Sequence, residues 1–472
     1  MFRTFCNENS QKQSMINKFF TPWTLIMLCT FFFLSCNNQK PIEDNNNKTA
    51  IEDETSFTDA ELLDMVQKQA FNYFWNGAEP VSGLARERLH TDNKYPNHSK
   101  DIITSGGSGF GLMAILVGVE RGFISRDEAI ERYTKIIGFL ENADRFHGAW
   151  PHWLNPDGTV YPFSPADNGG DLVETAFLVQ GLLTVKEYLN DSEPEEKELA
   201  TRITKLWEEV EWDWYTRGGE QVLYWHWSPQ YDWEMNFPIG GYNECLILYI
   251  LAAASPTHGI EKEVYENGWA RAGAILNDTT YYGLETELDH YEFSNQPVGP
   301  LFWAHYSYLG LDPKGLQDQF ADYWKLNTNH ALIHFAYCVD NPLNFEGYGK
   351  NQWGLTSSYS MTGYAAHQPT NDLGVISPTA ALSSMPYTPE QSIDFLRQLY
   401  TKQDSLIGIY GPYDAYSNEY NWYVPRYLAI DQGPIPVMIE NHRSGLLWNL
   451  FMNNEDVQNG LRKLNFTSPY LQ

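Results

Sequence analysis

Six segments of this chain read as helices that are apolar on nearly every side, and that feature limits the fold more than any other. They cover residues 106–120, 171–188, 242–255, 300–311, 375–385 and 433–452, where small and aliphatic residues dominate and charges are few. A helix without a polar face must be enclosed by other elements. Between them lie six amphipathic segments with charged outer faces. Four open with Ser/Thr-x-x-Glu/Gln, in which the hydroxyl and the later side chain satisfy free N–H groups of the first turn. They are Thr58-Asp59-Ala60-Glu61, Ser125-Arg126-Asp127-Glu128, Ser192-Glu193-Pro194-Glu195 and Thr388-Pro389-Glu390-Gln391. Residues 261–271 and 316–340 complete this set. Six enclosed helices alternating with six amphipathic ones predict an all-α fold, an (α/α)6 toroid with one ring wrapped by the other.

The first 36 residues stand apart. Lys12 and Lys18 precede an apolar run at 23–34, too short to span a bilayer comfortably, which ends at Ser35-Cys36. The pattern is similar to a bacterial lipobox and predicts a signal peptide over 1–36, lipidated at Cys36, that anchors an exported protein to the bacterial envelope. Residues 37–55, rich in Asn, Asp and Glu, read as a flexible tether. Residues 56–472 read as one domain. Within it only Cys245 and Cys338 remain, each in an apolar pattern, so buried free thiols are expected rather than a disulfide framework.

The net charge is −29; residues 1–36 carry +2, leaving the rest near −31. Such a field repels nucleic acid and anionic polymers, and a neutral ligand is indifferent to it. The expected partner is thus a neutral polysaccharide or oligosaccharide, with no nucleic acid, membrane contact only through the N-terminal lipid, and a monomeric state. No cofactor or metal is predicted. His147, His152 and His226 never fall at i, i+4 spacing, and each sits beside Trp or Gly, which suits hydrogen bonding to a sugar. The run Ser105-Gly106-Gly107-Ser108-Gly109-Phe110-Gly111 lacks the Lys-Ser/Thr of a phosphate loop and reads as close packing of an inner helix.

Long connections at 150–170, 225–241, 345–373 and 411–433 lead into the apolar helices and gather Trp, Tyr, Gly and Asn. Conspicuous loop residues on a rigid scaffold mark a binding face. Hydrolysis of a glycosidic bond there would need one protonated and one ionised carboxyl group. Glu244, in Gly240-Gly241-Tyr242-Asn243-Glu244-Cys245, is placed at the first turn of an apolar helix, where burial favours the protonated acid and the helix N-terminus opposes it. Asp431, just before the last inner helix, reads equally as an ionised general base or as a helix N-cap. Asp171 and Glu174 share a helix face, and Asp-x-x-Glu is also a capping pattern. Trp150, His152, Trp153, Trp225, Trp227 and Tyr242 are the candidate sugar-contacting residues.

Thr104-Ser105-Gly106-Gly107, His147-Gly148-Ala149-Trp150-Pro151-His152-Trp153, Asp171-Leu172-Val173-Glu174-Thr175 and Tyr242-Asn243-Glu244 together resemble the bacterial glucoamylase-like domain, over about residues 57–465. That domain includes glycoside hydrolase family 144, the endo-β-1,2-glucanases. The resemblance implies an (α/α)6 fold, hydrolysis with inversion and release of short β-1,2-gluco-oligosaccharides. It matches Glu244 to the general acid, Asp171 and Glu174 to essential acidic residues at the cleavage point, and Asp431 to the base, which acts on water through a substrate hydroxyl. Other classes remain open at this point: a glycan-binding lipoprotein without catalysis, a glucosidase of another linkage, and a lyase or uronide hydrolase, the last disfavoured by the acidic charge.

Overall fold

The computed structural model of the chain describes residues 57–95, 99–290 and 298–471. The predicted signal peptide, Cys36 and the tether lie outside them. Among the described residues the helices run, in chain order, α1 Asp59–Trp75, α2 Ser105–Glu120, α3 Arg126–Leu140, α4 Leu172–Tyr188, α5 Pro194–Glu208 and α6 Leu246–Ala254. They continue with α7 Lys262–Val264, which passes into a π-helical turn at Tyr265–Trp269, then α8 Tyr323–Asp340, α9 Pro378–Leu382 and α10 Pro389–Lys402. The last four are α11 Ala429–Gln432, α12 Pro434–Arg443, α13 Leu446–Asn453 and α14 Glu455–Lys463.

Burial separates two layers as the patterning requires. Every residue from Ser105 to Gly118 of α2, from Leu172 to Val185 of α4 and throughout α6 is buried. By contrast α1 buries Leu62, Leu63, Val66, Gln67, Ala70, Phe71, Tyr73 and Phe74, a stripe of one face, and α3, α5 and α10 do likewise. The inner elements pass from neighbour to neighbour: α2 against α4, α4 against α6, α9 against α12, and α12 back against α2. The fourth inner segment links its neighbours by side chains. Ser307 Oγ accepts the Ile247 N–H of α6 at 3.0 Å, and His305 Nε2 meets Ser384 Oγ after α9 at 3.0 Å. The fold is the (α/α)6 toroid.

The inner ring is less regular than the pattern suggested. The fourth inner segment is one 3₁₀ turn, Leu301–Ala304, followed by Tyr306, which packs on Phe110 of α2 and Phe177 of α4, and Tyr308, which packs on Tyr323 of α8. The fifth is helical only over Pro378–Leu382, where hydroxyls of Thr379, Ser383 and Ser384 hydrogen-bond locally in place of further turns. The sixth breaks at Ser444-Gly445, with Gly445 at φ 73°, and the following Leu446–Asn453 is a separate helix. The third begins at Leu246 rather than Tyr242, since Asn243 Oδ1 accepts the Cys245 N–H and closes a turn instead. Of the four capping boxes, those at Thr58 and Ser125 form. The other two do not: α5 starts from Glu193 without a side-chain cap, and the Thr388 hydroxyl donates to the Ser384 carbonyl. Cys245 and Cys338 are buried and outside any disulfide, as expected. No helix among the described residues is long and apolar enough to cross a membrane.

Short antiparallel strands fasten the chain where it enters inner helices. Ile103–Thr104, ahead of α2, pairs with Trp153–Leu154; Gly170–Asp171, ahead of α4, pairs with His226–Trp227. Arg426–Leu428, ahead of α11, pairs with Arg88–His90. One end of the toroid therefore carries the predicted loop residues at fixed register.

Candidate active site

The strand register brings His152, Asp171 and His226 together. Asp171 is fully buried as the N-cap of α4, and its two oxygens divide the two readings of this residue. Oδ1 accepts the N–H groups of Val173 and Glu174 at 3.0 and 2.9 Å, which is capping. Oδ2 accepts the Trp225 indole N–H at 3.1 Å and faces His152 Nδ1 at 2.9 Å. Glu174 does not close a capping box; its Oε2 crosses to α2 and accepts the Gly106 N–H at 2.8 Å. A Cβ on Gly106 would lie 2.5 Å from that oxygen, so the glycine is what admits the carboxylate.

These groups set one another's charge. Burial pushes Glu174 up to about 7, with the Asp171 charge adding to it and His152 opposing. Burial acts against a charged His152, yet Glu174 and Asp171 outweigh it and lift the imidazole to about 10. Burial would raise Asp171 as well, but its hydrogen bond with His152 and its backbone donors hold it below the ordinary carboxylate value. The corner thus contains an ionised Asp171, an imidazolium at His152 and a Glu174 that exchanges its proton near neutrality. Asp167, which the sequence reading did not single out, is 3% exposed and stands 3.4 Å from His226 Nδ1. Ligand atoms of His152, Asp167 and Asp171 lie within 4.8 Å of one another, a spacing that could hold a cation. A proton held by His152 supplies the positive charge there and competes with any metal.

Glu244 sits in the turn ahead of α6, not in its first turn, and is partly exposed. The Ser307 hydroxyl donates to its carbonyl at 2.5 Å, fixing the turn to the fourth inner segment. Asp431 lies inside α11, 1% exposed; the N-cap position belongs to Leu428, so the capping reading of Asp431 does not hold. Its expected ionised state is corrected too. Burial raises its carboxyl well above the ordinary value, and contact with the Asp414 carboxyl and the Glu87 charge raise it further. One hydroxyl ties the candidates together. Tyr306, buried on the fourth inner segment, is pushed up by burial and then by the charges of Asp431, Tyr364, Glu244 and Glu174. Three of the four proposed carboxyl positions therefore lie within electrostatic reach of one phenol.

The aromatic candidates divide. Trp153, Trp225 and Trp227 are partly exposed at this end of the ring. Trp150 and Tyr242 are corrections: both are 0% exposed. The Trp150 indole donates to the Leu140 carbonyl at 3.3 Å and the Tyr242 hydroxyl to Asn327 Oδ1 at 2.9 Å, which are core roles. Tyr364 was not foreseen. It stands 45% exposed on the hairpin Ser357–Ser360/Gly363–Ala366, and the charges of Asp431, Asp414 and Glu87 all reach its phenol. A side chain open to solvent yet within range of those buried groups forms part of a cleft wall. Asp414 and Tyr364 both fall in the long connections marked by composition, which narrowed the search without choosing among many polar residues.

A family model described as Glycoamylase, "Putative glucoamylase", matches residues 236–455. The structure superposes on an endo-β-1,2-glucanase from Chitinophaga pinensis, in complex with sophorotriose and glucose, with a TM-score of 0.87 and 59% identity, covering 88% of this chain and 100% of that one. An exo β-1,2-glucooligosaccharide sophorohydrolase (non-reducing end) from Parabacteroides distasonis is 45% identical over 89% of this chain. The chain spans 60% of the length of that curated relative. An endo-β-1,2-glucanase from Talaromyces funiculosus, in complex with sophorose, is 12% identical and covers 86% of this chain and 92% of its own, with a TM-score of 0.60, a likeness of fold alone.

Proposed function

Since the chain belongs to the glucoamylase-like family that includes bacterial β-1,2-glucanases, we propose that it is a glycoside hydrolase acting on β-1,2-glucan, endo-acting and inverting. The observation that carries this reading is the set of buried carboxyls at the loop-bearing end of the inner ring: Asp171 held by His152 and Trp225, Glu174 on the Gly106 N–H and Asp431 in α11, with Glu174, Asp431 and the partly exposed Glu244 all within electrostatic reach of Tyr306. Glu244 gives its proton to the leaving oxygen. The Asp431 side of the cleft takes a proton from the attacking water, directly or through a substrate hydroxyl. Asp171, held by His152 and Trp225, and Glu174 orient the sugar at the cleavage point, and Trp153, Trp225 and Trp227 offer flat faces to the glucan. The net negative charge is compatible with a neutral polymer and unfavourable to uronic-acid substrates.

The N-terminal pattern supports export, cleavage before Cys36 and lipid attachment to the bacterial envelope; radiolabelled palmitate incorporation lost in C36A would test it. For the reaction, linear β-1,2-glucan is incubated with enzyme and new reducing ends are measured. E244Q is expected to lower kcat by about 10²–10⁴-fold, the usual share of a general acid, while sophoro-oligosaccharide binding in calorimetry persists. Full activity in E244Q would remove Glu244 from the acid role. No cleavage by the wild type, with glucan still bound, would favour a glycan-binding protein instead.

A further inference from the structure

Asp414 has no part in the reaction as described so far, although it is buried against one of its key groups. It is 2% exposed and fixed through all of its backbone and one carboxyl oxygen. Its N–H donates to the Arg426 carbonyl at 3.0 Å, its carbonyl accepts the Ser377 hydroxyl at 2.7 Å, and Oδ2 accepts the Tyr359 N–H at 2.8 Å. Its other oxygen, Oδ1, is buried with no N–H or hydroxyl donor among the described residues and lies within hydrogen-bonding reach of the Asp431 carboxyl. Neither Asp431 oxygen accepts a hydrogen bond from an N–H or hydroxyl group among the described residues. Two ionised carboxylates side by side in the low-dielectric interior repel strongly. One proton between them converts that repulsion into a charge-assisted hydrogen bond.

We propose that Asp414 is a positioning residue of the active site: it shares a single proton with Asp431, and the pair, rather than either residue alone, is the proton acceptor of hydrolysis. The proposal rests on the hydrolase reading above. The surroundings decide where the proton resides. Arg88 and the Tyr359 N–H favour negative charge on Asp414, whereas Glu87 disfavours charge on both residues, and the phenols of Tyr306 and Tyr364, pushed up and so neutral, lie within electrostatic reach of Asp431. The proton therefore rests on Asp431 and the charge on Asp414; burial places the Asp414 ionisation at about 6, so the singly protonated pair prevails at neutral pH.

In the reaction, the Asp431 oxygen remote from Asp414 takes a proton from water or from the substrate hydroxyl that relays it. The proton already on Asp431 passes along the shared hydrogen bond to Asp414. The electrons of the broken O–H bond remain on the oxygen that bonds to the anomeric carbon. The glycosidic pair leaves with the departing oxygen, which takes the Glu244 proton. The pair goes from one proton to two, Glu244 from one to none, and exchange with solvent restores both.

The test is infrared spectroscopy of the full chain, with aspartate ¹³C-labelled at its side-chain carboxyl. At pH 8 the wild type is expected to show a protonated aspartate C=O band that is missing from both D431N and D414N, since the amide introduced by D414N would turn an N–H toward Asp431 in place of a negative charge. A wild type without that band, or a band that survives in D414N, overturns the shared proton. On β-1,2-glucan, D414N is expected to lose at least tenfold in kcat with KM within threefold of wild type; unchanged kcat overturns the positioning role. Far-UV circular dichroism confirms that each variant is folded; should D414N not fold, a wild-type spectrum without the band, or a D431N spectrum that keeps it, still overturns the proposal. The infrared result needs no turnover, so failure of the wild type to cleave the glucan reports separately on the hydrolase reading.

Discussion

His152 governs the charge of the corner that holds Asp171 and Glu174. Its imidazole lies 2.9 Å from Asp171 and 3.9 Å from Glu174, so a single proton offsets two buried carboxyls. Because the folded state lifts His152 from its ordinary 6.5 to about 10, the imidazolium stabilises the fold fully below about pH 6.5, and that stabilisation is lost as pH rises through about 10. H152Q is thus expected to melt below wild type at pH 6, with the gap in Tm shrinking as pH approaches 10; a constant gap would show that His152 contributes packing only. The same variant should lose activity on β-1,2-glucan, since Asp171 loses a partner that holds it ionised. Tyr364 permits a milder test. Y364F removes only the phenol oxygen from the cleft wall, and a few-fold rise in KM with little change in kcat is expected if the hydroxyl contacts substrate.

At the scale of elements, the ring depends on how closely α2 and α4 approach. A Cβ at Gly181 would lie 2.3 Å from the Gly109 carbonyl oxygen, and one at Gly109 would lie 2.1 Å from that of Phe177. Backbone cannot yield as a flexible side chain does, so G181A should destabilise by about 1–3 kcal/mol or more and, through the α4 N-terminus, disturb Asp171 and Glu174. Gly138 on the outer helix α3 is the control. Its nearest neighbour would be an Arg202 guanidinium nitrogen at 3.5 Å, and G138A should raise stability by about 0.5 kcal/mol through backbone entropy and helix propensity. Thermal denaturation of the two variants decides whether close approach, rather than glycine itself, is what the inner ring uses.

For the whole molecule, a net charge of −29 surrounds a site that is proposed to take an uncharged polymer. Long-range steering would not assist such a substrate, and salt screens only charge–charge attraction. KM for β-1,2-glucan is therefore expected to change less than about threefold between 20 and 500 mM NaCl. A steep salt dependence would point to an anionic or cationic ligand.

Sequence by itself determined the class of fold and the end of the molecule on which to look. Helices apolar on every side need enclosure whatever their order, and that demand is local, written in the periodicity of residues such as those of α2, α4 and α6. It also marked Asp171, Glu174, Glu244 and Asp431 as carboxyls on the approaches to the inner ring. Only the tertiary structure decided what surrounds each of them. Trp150 and Tyr242 look like loop aromatics until their neighbours fill every side of them, and Asp431 reads as a free carboxylate until Asp414, 17 positions earlier, comes into contact with it. Burial and protonation are properties of neighbours distant in sequence, and no periodicity encodes which carboxyl will face which.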